Sequence, residues 1–391
     1  MRADVLVSDE SVLNQIRRPV AIPTELIGRA SPFDIFSARG TLIVKTGTPI
    51  PSRIQDSALP PRIFCQAQQA NQISRFNPSV ELIDASHDLA KIADRITRNE
   101  MVSSSELQSL AQRVFELWFL DADACLGYAR LAKFGRPSVC HVIHTALIAA
   151  ELASANSFKR DMIVSVMGAA LTMNLAKLAL HDEMFYLDRV PNPAMRTEMQ
   201  KHPAESAALL AQLDGVSVDW SEAVAFHHEN VDGSGYPEGR KGTAIPLSAR
   251  IVRVADILAA RLTGRKSRAP RHWNIHYARD LRHLVSHVFG ADEAHLDSSL
   301  MHRLLRALNR FAPGSLVRLS NNEIAVVTRR VPGLALMPQQ VFAVTDAQGT
   351  PLVTPKLRYI VGRKCAIRGY AQDVLPRLEG VDWAKAWGYG W

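Results

Sequence analysis

The stretch His227-His228-Glu229-Asn230-Val231-Asp232-Gly233-Ser234-Gly235-Tyr236-Pro237, followed by Ile251-Val252-Arg253-Val254-Ala255-Asp256, decides how this chain is read. Two histidines stand side by side where a helical pattern over residues 220–229 ends, and glycines and a proline break the chain behind them. Over residues 246–262 apolar residues return at helical spacing, which sets Asp256 among apolar neighbours. A carboxylate there needs a cation or a metal to stay charged. Imidazole nitrogens together with a carboxylate suit first-row divalent metals.

Other histidines join the pattern. His141 and His144, three residues apart, share a face of an apolar helix over 141–155. His202 falls in the second turn of a helix read over 196–213. A single histidine in such a place is more often a core or surface residue than a ligand. Several together point to a metal, although spacing does not establish that they meet.

Composition sets the frame. The chain has 391 residues, is 47% hydrophobic and carries 21 Gly and 21 Pro, so it is neither disordered nor collagen-like. The length suggests two or three domains. The uncharged run at 162–176 is too short to span a bilayer and reads as a buried helix. With Arg2, Asp4, Asp9 and Glu10 at the start and no apolar stretch after them, no signal peptide is expected. Cys65, Cys125, Cys140 and Cys365 form no CxxC pair, so the expected compartment is the reducing cytoplasm. Residues 239–271 hold nine basic residues and one acid, which accounts for the +8 of the whole chain. That stretch attracts anions, most simply phosphates. No DNA- or RNA-binding motif accompanies it, so nucleic acid is not the expected partner.

The coarse organisation is β at both ends and helical between. Residues 1–77 read as a small β-containing segment, 78–114 as a helical linker, 115–311 as a helical domain and 312–391 as a C-terminal β unit. Ser103-x-x-Glu106 has the form of a capping box. Leu316–Leu319, 323–327 and 341–344 read as strands, with a turn at 346–349.

The motif His227-His228-Glu229-x-x-Asp232-Gly233-x-Gly235-Tyr236-Pro237-x-Gly239-x-x-Gly242-x-x-Ile245-Pro246-x-x-Ala249-Arg250-Ile251-Val252-x-Val254-Ala255-Asp256 resembles the signature of HD-GYP proteins. These are HD-superfamily phosphodiesterases that open the bacterial messenger cyclic di-GMP. The resemblance implies a mainly α fold, an HD-superfamily helical domain with small β units at its flanks, holding two or three metal ions. It implies His141, His202, His227, His228 and Asp256 as metal ligands. It implies Lys177, Arg265 and Arg268 as phosphate contacts, and Asp232, Gly233, Gly235, Tyr236 and Pro237 as a recognition loop.

The chain departs from the family at its centre. Ala170-Leu171-Thr172-Met173-Asn174-Leu175-Ala176-Lys177 stands where the family has Ala-Leu-Leu-His-Asp-Ile-Gly-Lys, so Met173 and Asn174 replace the HD pair. Asn has one neutral amide oxygen where the family Asp bridges two dications, and a thioether suits Cu(I) rather than Fe or Mn. Pro137 and Ala259 stand where further carboxylates occur in the family. His181-Asp182, seven residues beyond Asn174, reads as a decoy about 10 Å further along a helix.

Three functions remain open. One is a degenerate domain, weak or inactive as a phosphodiesterase, that senses cyclic di-GMP or its linear product or serves as an interaction platform. One is an active phosphodiesterase with an unusual metal arrangement. The last is a signalling adaptor that docks a protein through the Gly-Tyr-Pro loop. The expected cofactor is one divalent transition metal, Fe or Mn, at reduced occupancy, most simply at the His202/His227/His228 corner. No membrane insertion is expected.

Overall fold

The computed structural model describes residues 16–38, 40–54, 63–74, 76–263, 281–330, 337–362 and 365–389. The chain divides into two compact units. One comprises Leu82–Trp118 and Ala132–Arg310, the other Met1–Glu81, Phe119–Leu131 and Phe311–Trp391. The two terminal parts, read from the sequence as separate segments, therefore fall in one unit.

The helical unit is built around the helix Pro137–Ala155, whose residues from Val142 to Ala153 are all buried. Helices Arg160–Thr172 and Leu247–Leu262 pack against it, and Val218–Phe226 packs on both of these. Trp220 fixes one crossing. Its ring lies 2.3 Å from where a Cβ on Gly168 would stand, and its Nε1 donates to Thr172 Oγ1 at 2.8 Å. Only glycine leaves that space. Pro137–Ala155 and Arg160–Tyr186 have the length and composition of membrane spans, but 83% and 67% of their apolar windows are buried within the protein.

The capping box forms as expected. Ser103 N donates to Glu106 Oε2 at 2.9 Å, and Glu106 N donates back to Ser103 Oγ at 3.3 Å. Two helices differ from their sequence patterns. The single helix expected over 196–213 is two, Pro193–Gln200 and His202–Ala211. Pro203 has no N–H for the carbonyl a turn earlier, so the ladder breaks and His202 opens a helix instead of lying in its second turn. The long helix Ser104–Leu131 has non-helical torsions at Asp121, whose Oδ1 accepts from Ala124 N at 3.0 Å. Asp121 thus acts as an internal N-cap that restarts the helix.

The other unit holds two antiparallel sheets. Strands β1 (Arg17–Pro19), β2 (Ile35–Ser37), β3 (Leu42–Val44) and β4 (Ile63–Gln66) form a sheet ordered β1-β4-β2-β3. Strands β5 (Leu316–Leu319), β6 (Ile324–Val326), β7 (Gln340–Thr345), β8 (Pro351–Tyr359) and β9 (Ile367–Tyr370) form a second, ordered β8-β7-β6-β5-β9. The turn expected at 346–349 links β7 and β8, with Thr350 N donating to Asp346 Oδ1 at 2.8 Å. In this unit Asp121 is fully buried and paired with Arg329, and Tyr389 donates its hydroxyl to Asp121 Oδ2 at 2.7 Å.

Candidate functional site

The helical unit brings the sequence-predicted histidines together. His202 and His227 sit at a helix start and just past a helix end, where backbone carbonyls lack helical donors. His202 Nδ1 donates to Met199 O at 2.5 Å, and His227 Nδ1 donates to Val224 O at 2.7 Å. Each bond fixes the ring as the tautomer whose Nε2 is a bare lone pair. Those two Nε2 atoms face each other at 3.0 Å. Burial drives the His227 pKa down to about 3 and lowers that of His202, so neither holds a proton between them at neutral pH. Two nitrogens bound at a right angle to one ion, each about 2.0–2.1 Å away, stand about 2.9 Å apart. The pair therefore suits a divalent transition metal, and the ligand atoms of His202, His227 and His228 lie within 4.8 Å of one another.

His228 is set differently. Arg253 Nη1 donates to its Nδ1 at 2.9 Å, and Tyr236 stacks on its ring at 4.7 Å and 10°. Burial, then His227 and Arg253, keep its pKa well below the ordinary histidine value.

His141 and Asp256 form the other corner. His141 Nε2 donates to Asp256 Oδ1 at 2.8 Å. Burial disfavours the Asp256 carboxylate, but the hydrogen bond and charge of His141, with Arg253 behind it, hold its pKa well below the usual range. His181 lies nearer to this corner than the sequence distance suggests. Its ring stacks on His141 at 5.2 Å and 19°. The expectation assumed a straight helix beyond Asn174. The helix Arg160–Thr172 instead ends there, a 3-10 turn covers Leu175–Lys177, and a new helix, Leu178–Tyr186, packs on Pro137–Ala155. Asp182 then accepts from Arg136 Nε at 2.8 Å and Ser138 N at 2.7 Å. Met173 and Asn174 are both buried in the turn between these helices.

The Gly-Tyr-Pro loop folds back on its own start. A Cβ on Gly235 would stand 2.3 Å from Asn230 N and 2.5 Å from His228 O, so only glycine permits the approach. Gly233 adopts φ +84°. Buried Glu229 accepts from the backbone N–H groups of Glu238, Gly239 and Arg240 at 2.7, 3.0 and 3.0 Å. Asp232 accepts from Ser234 Oγ at 2.7 Å and from His295 Nδ1 at 2.8 Å, and the Ser234 bonds hold its pKa below the usual range.

Lys177 donates to Glu198 at 2.6 Å and pairs with Glu205 at 2.9 Å, which raises its pKa. Much of the basic stretch is also engaged: Arg250 with Asp297 at 2.6 Å, and Arg240 with Glu238 at 2.8 Å. Arg265 and Arg268 lie outside the described residues. Arg253 and Glu229 were not singled out as site residues from sequence, and His181 was set aside. Arg253 carried a signal, a cation three residues before Asp256 among apolar neighbours on the same helix.

Residues 90–279 match the family model for the HD domain. The chain is 22% identical over 279 residues to a cyclic di-GMP phosphodiesterase of Pseudomonas aeruginosa, covering 68% of this chain and 60% of that one. It is 38% identical over 103 residues to the cyclic di-GMP phosphodiesterase response regulator RpfG of Xanthomonas campestris, covering 25% and 26%. It is 33% identical over 118 residues to 3'3'-cGAMP-specific phosphodiesterase 1 of Vibrio cholerae, covering 30% and 26%. The chain thus spans less than two thirds of the length of each of these relatives. It also overlays an HDG"Y"P protein of Bdellovibrio bacteriovorus with a TM-score of 0.47 at 10% identity, over 75% of this chain and 99% of that one. HD-domain phosphodiesterases are metal-dependent, and a histidine cluster is present here. From its helical fold, its clustered histidines and the match over residues 90–279, the chain carries an HD domain and is similar to the cyclic di-GMP phosphodiesterases of the HD-GYP type.

Proposed function

We propose that the chain is a cyclic di-GMP-linked signalling protein whose HD-GYP domain, over residues 115–311, binds the dinucleotide or its linear product and hydrolyses it weakly or not at all. The observation that carries this reading is the pair Met173 and Asn174, a thioether and a neutral amide, in the buried turn where the family has its HD pair. When bound, a metal pair supplies hydroxide near neutral pH and clamps the phosphodiester. Asn174 cannot neutralise two dications. His202 and His227 would hold one Fe or Mn ion, with partial occupancy. His141 and Asp256 satisfy each other, and Arg253 lies against His228.

In this reading Lys177, Arg265 and Arg268 face phosphate, and the loop Asp232, Gly233, Gly235, Tyr236 and Pro237 recognises the nucleotide or a protein partner. The protein acts in a bacterial cytoplasm. A phosphate must exchange with Glu198 and Glu205 to reach Lys177. The reading of an active enzyme draws support from the five ligand-type side chains that meet in one unit.

Titration calorimetry with cyclic di-GMP and with the linear dinucleotide tests the proposal. Binding of either is expected, weakening with added salt. Arg265→Ala should weaken it about tenfold or more, the value of a charge-assisted contact of roughly 1.5–3 kcal/mol. Absence of binding by both nucleotides would favour the adaptor.

A further inference from the structure

We infer that Arg253 is the resident cation of the histidine corner, and that it holds His228 in the tautomer that cannot ligate a metal. A guanidinium only donates. With Arg253 Nη1 2.9 Å from His228 Nδ1, that nitrogen is the acceptor and carries the lone pair. A neutral imidazole has one N–H, so the proton of His228 is on Nε2. Ligation through Nε2 would move that proton to Nδ1, where it would point at the Arg253 donor. Ligation through Nδ1 would require Arg253 to leave. Either route displaces the arginine.

Arg253 is well anchored against leaving. Its Nη2 donates to Asn230 Oδ1 at 3.2 Å, and Nη1 lies 3.8 Å from Asp256 Oδ2 one helical turn on. Tyr236 closes the other side of His228 by stacking at 4.7 Å. His202 and His227 show the opposite arrangement. Both Nδ1 atoms donate to carbonyls and both Nε2 atoms are bare, 3.0 Å apart. Three histidines of one cluster are thus divided into two metal-ready rings and one ring turned to an arginine. Arg253 acts through His228 and is a positioning residue. Its positive charge also stands beside the Asp256 carboxylate, a place where a second dication would otherwise balance that acid.

The inference rests on reading His202, His227 and His228 as the metal corner, and is independent of nucleotide binding. It is tested on the full chain with Mn²⁺ alone as probe. Long-range ¹⁵N–¹H NMR of the metal-free protein should show His228 protonated at Nε2 while His202 and His227 are protonated at Nδ1. Arg253→Met should bind Mn²⁺ about 10–100-fold more tightly by titration calorimetry, the usual scale for partners behind a metal ligand. Its His228 should shift to the Nδ1-protonated form when metal is added. A wild-type His228 protonated at Nδ1 overturns the inference, and so does equal Mn²⁺ affinity in the two proteins. Should Arg253→Met not fold, the wild-type spectrum decides alone. Loss of nucleotide binding with this tautomer pattern intact would count against the proposed function only.

Discussion

Glu229 shows how one side chain sets the shape of the site's rim. Its carboxylate receives three consecutive backbone N–H groups from residues 238–240, in a buried position. Hydrogen bonds to an ionised group are worth roughly 1.5–3 kcal/mol, and a donor turned toward those N–H groups would be worse than none. Glu229→Gln should therefore lower stability by about 1.5–3 kcal/mol, read from the urea midpoint, with faster amide exchange at residues 238–240. Unchanged exchange there would contradict the assignment. At this scale the sequence was only partly legible. His202, His227 and His228 were named because the long motif from His227 to Asp256 implied them, while spacing alone did not show that they meet. Arg253 was counted as one of nine basic residues, because charge counting does not tell which guanidinium faces a histidine. His181 was misplaced because a rise per residue holds only along an unbroken helix.

The elements follow local rules that can be read directly, except where a tertiary partner intervenes. The capping box at Ser103 and Glu106, the strands β5 to β7 and the turn at 346–349 are where turn chemistry and alternation put them. The break at Lys201 was missed although Pro203 announces it, because apolar spacing continues across it. Gly168 is silent in the sequence, yet it sets the crossing of Arg160–Thr172 with Val218–Phe226 by making room for the Trp220 ring. Overpacking at a buried crossing costs typically 1–3 kcal/mol. Gly168→Ala should destabilise by about that amount, seen as a lower thermal midpoint. A midpoint equal to that of wild type would show that the crossing yields freely.

For the whole molecule, a buried set of neutral imidazoles makes stability depend on pH. His227 titrates near 6.5 in an unfolded chain, and burial pushes it down to about 3 in the folded one. Between those values the unfolded chain binds the proton and the folded chain does not. The stabilisation is therefore complete above 6.5 and is lost as pH falls toward 3. The slope is about 1.4 kcal/mol per pH unit for each such histidine. The chelated protein should unfold at lower urea at about pH 5.5 than at about pH 7.5. Equal midpoints would contradict neutral burial. The family fold was legible at this scale because a motif that long constrains a whole helical unit. The grouping of both termini in one unit was not, since it rests on side-chain contacts such as Phe76 with Tyr389, and such packing leaves no mark on residues so distant in sequence. The central claim concerns hydrolysis, and the most direct measurement is turnover of cyclic di-GMP in saturating Mn²⁺ by the wild type and by the double variant Met173→His with Asn174→Asp. The account predicts turnover at or near background for the wild type and a gain for the double variant. Robust wild-type turnover that His227→Ala abolishes would contradict it.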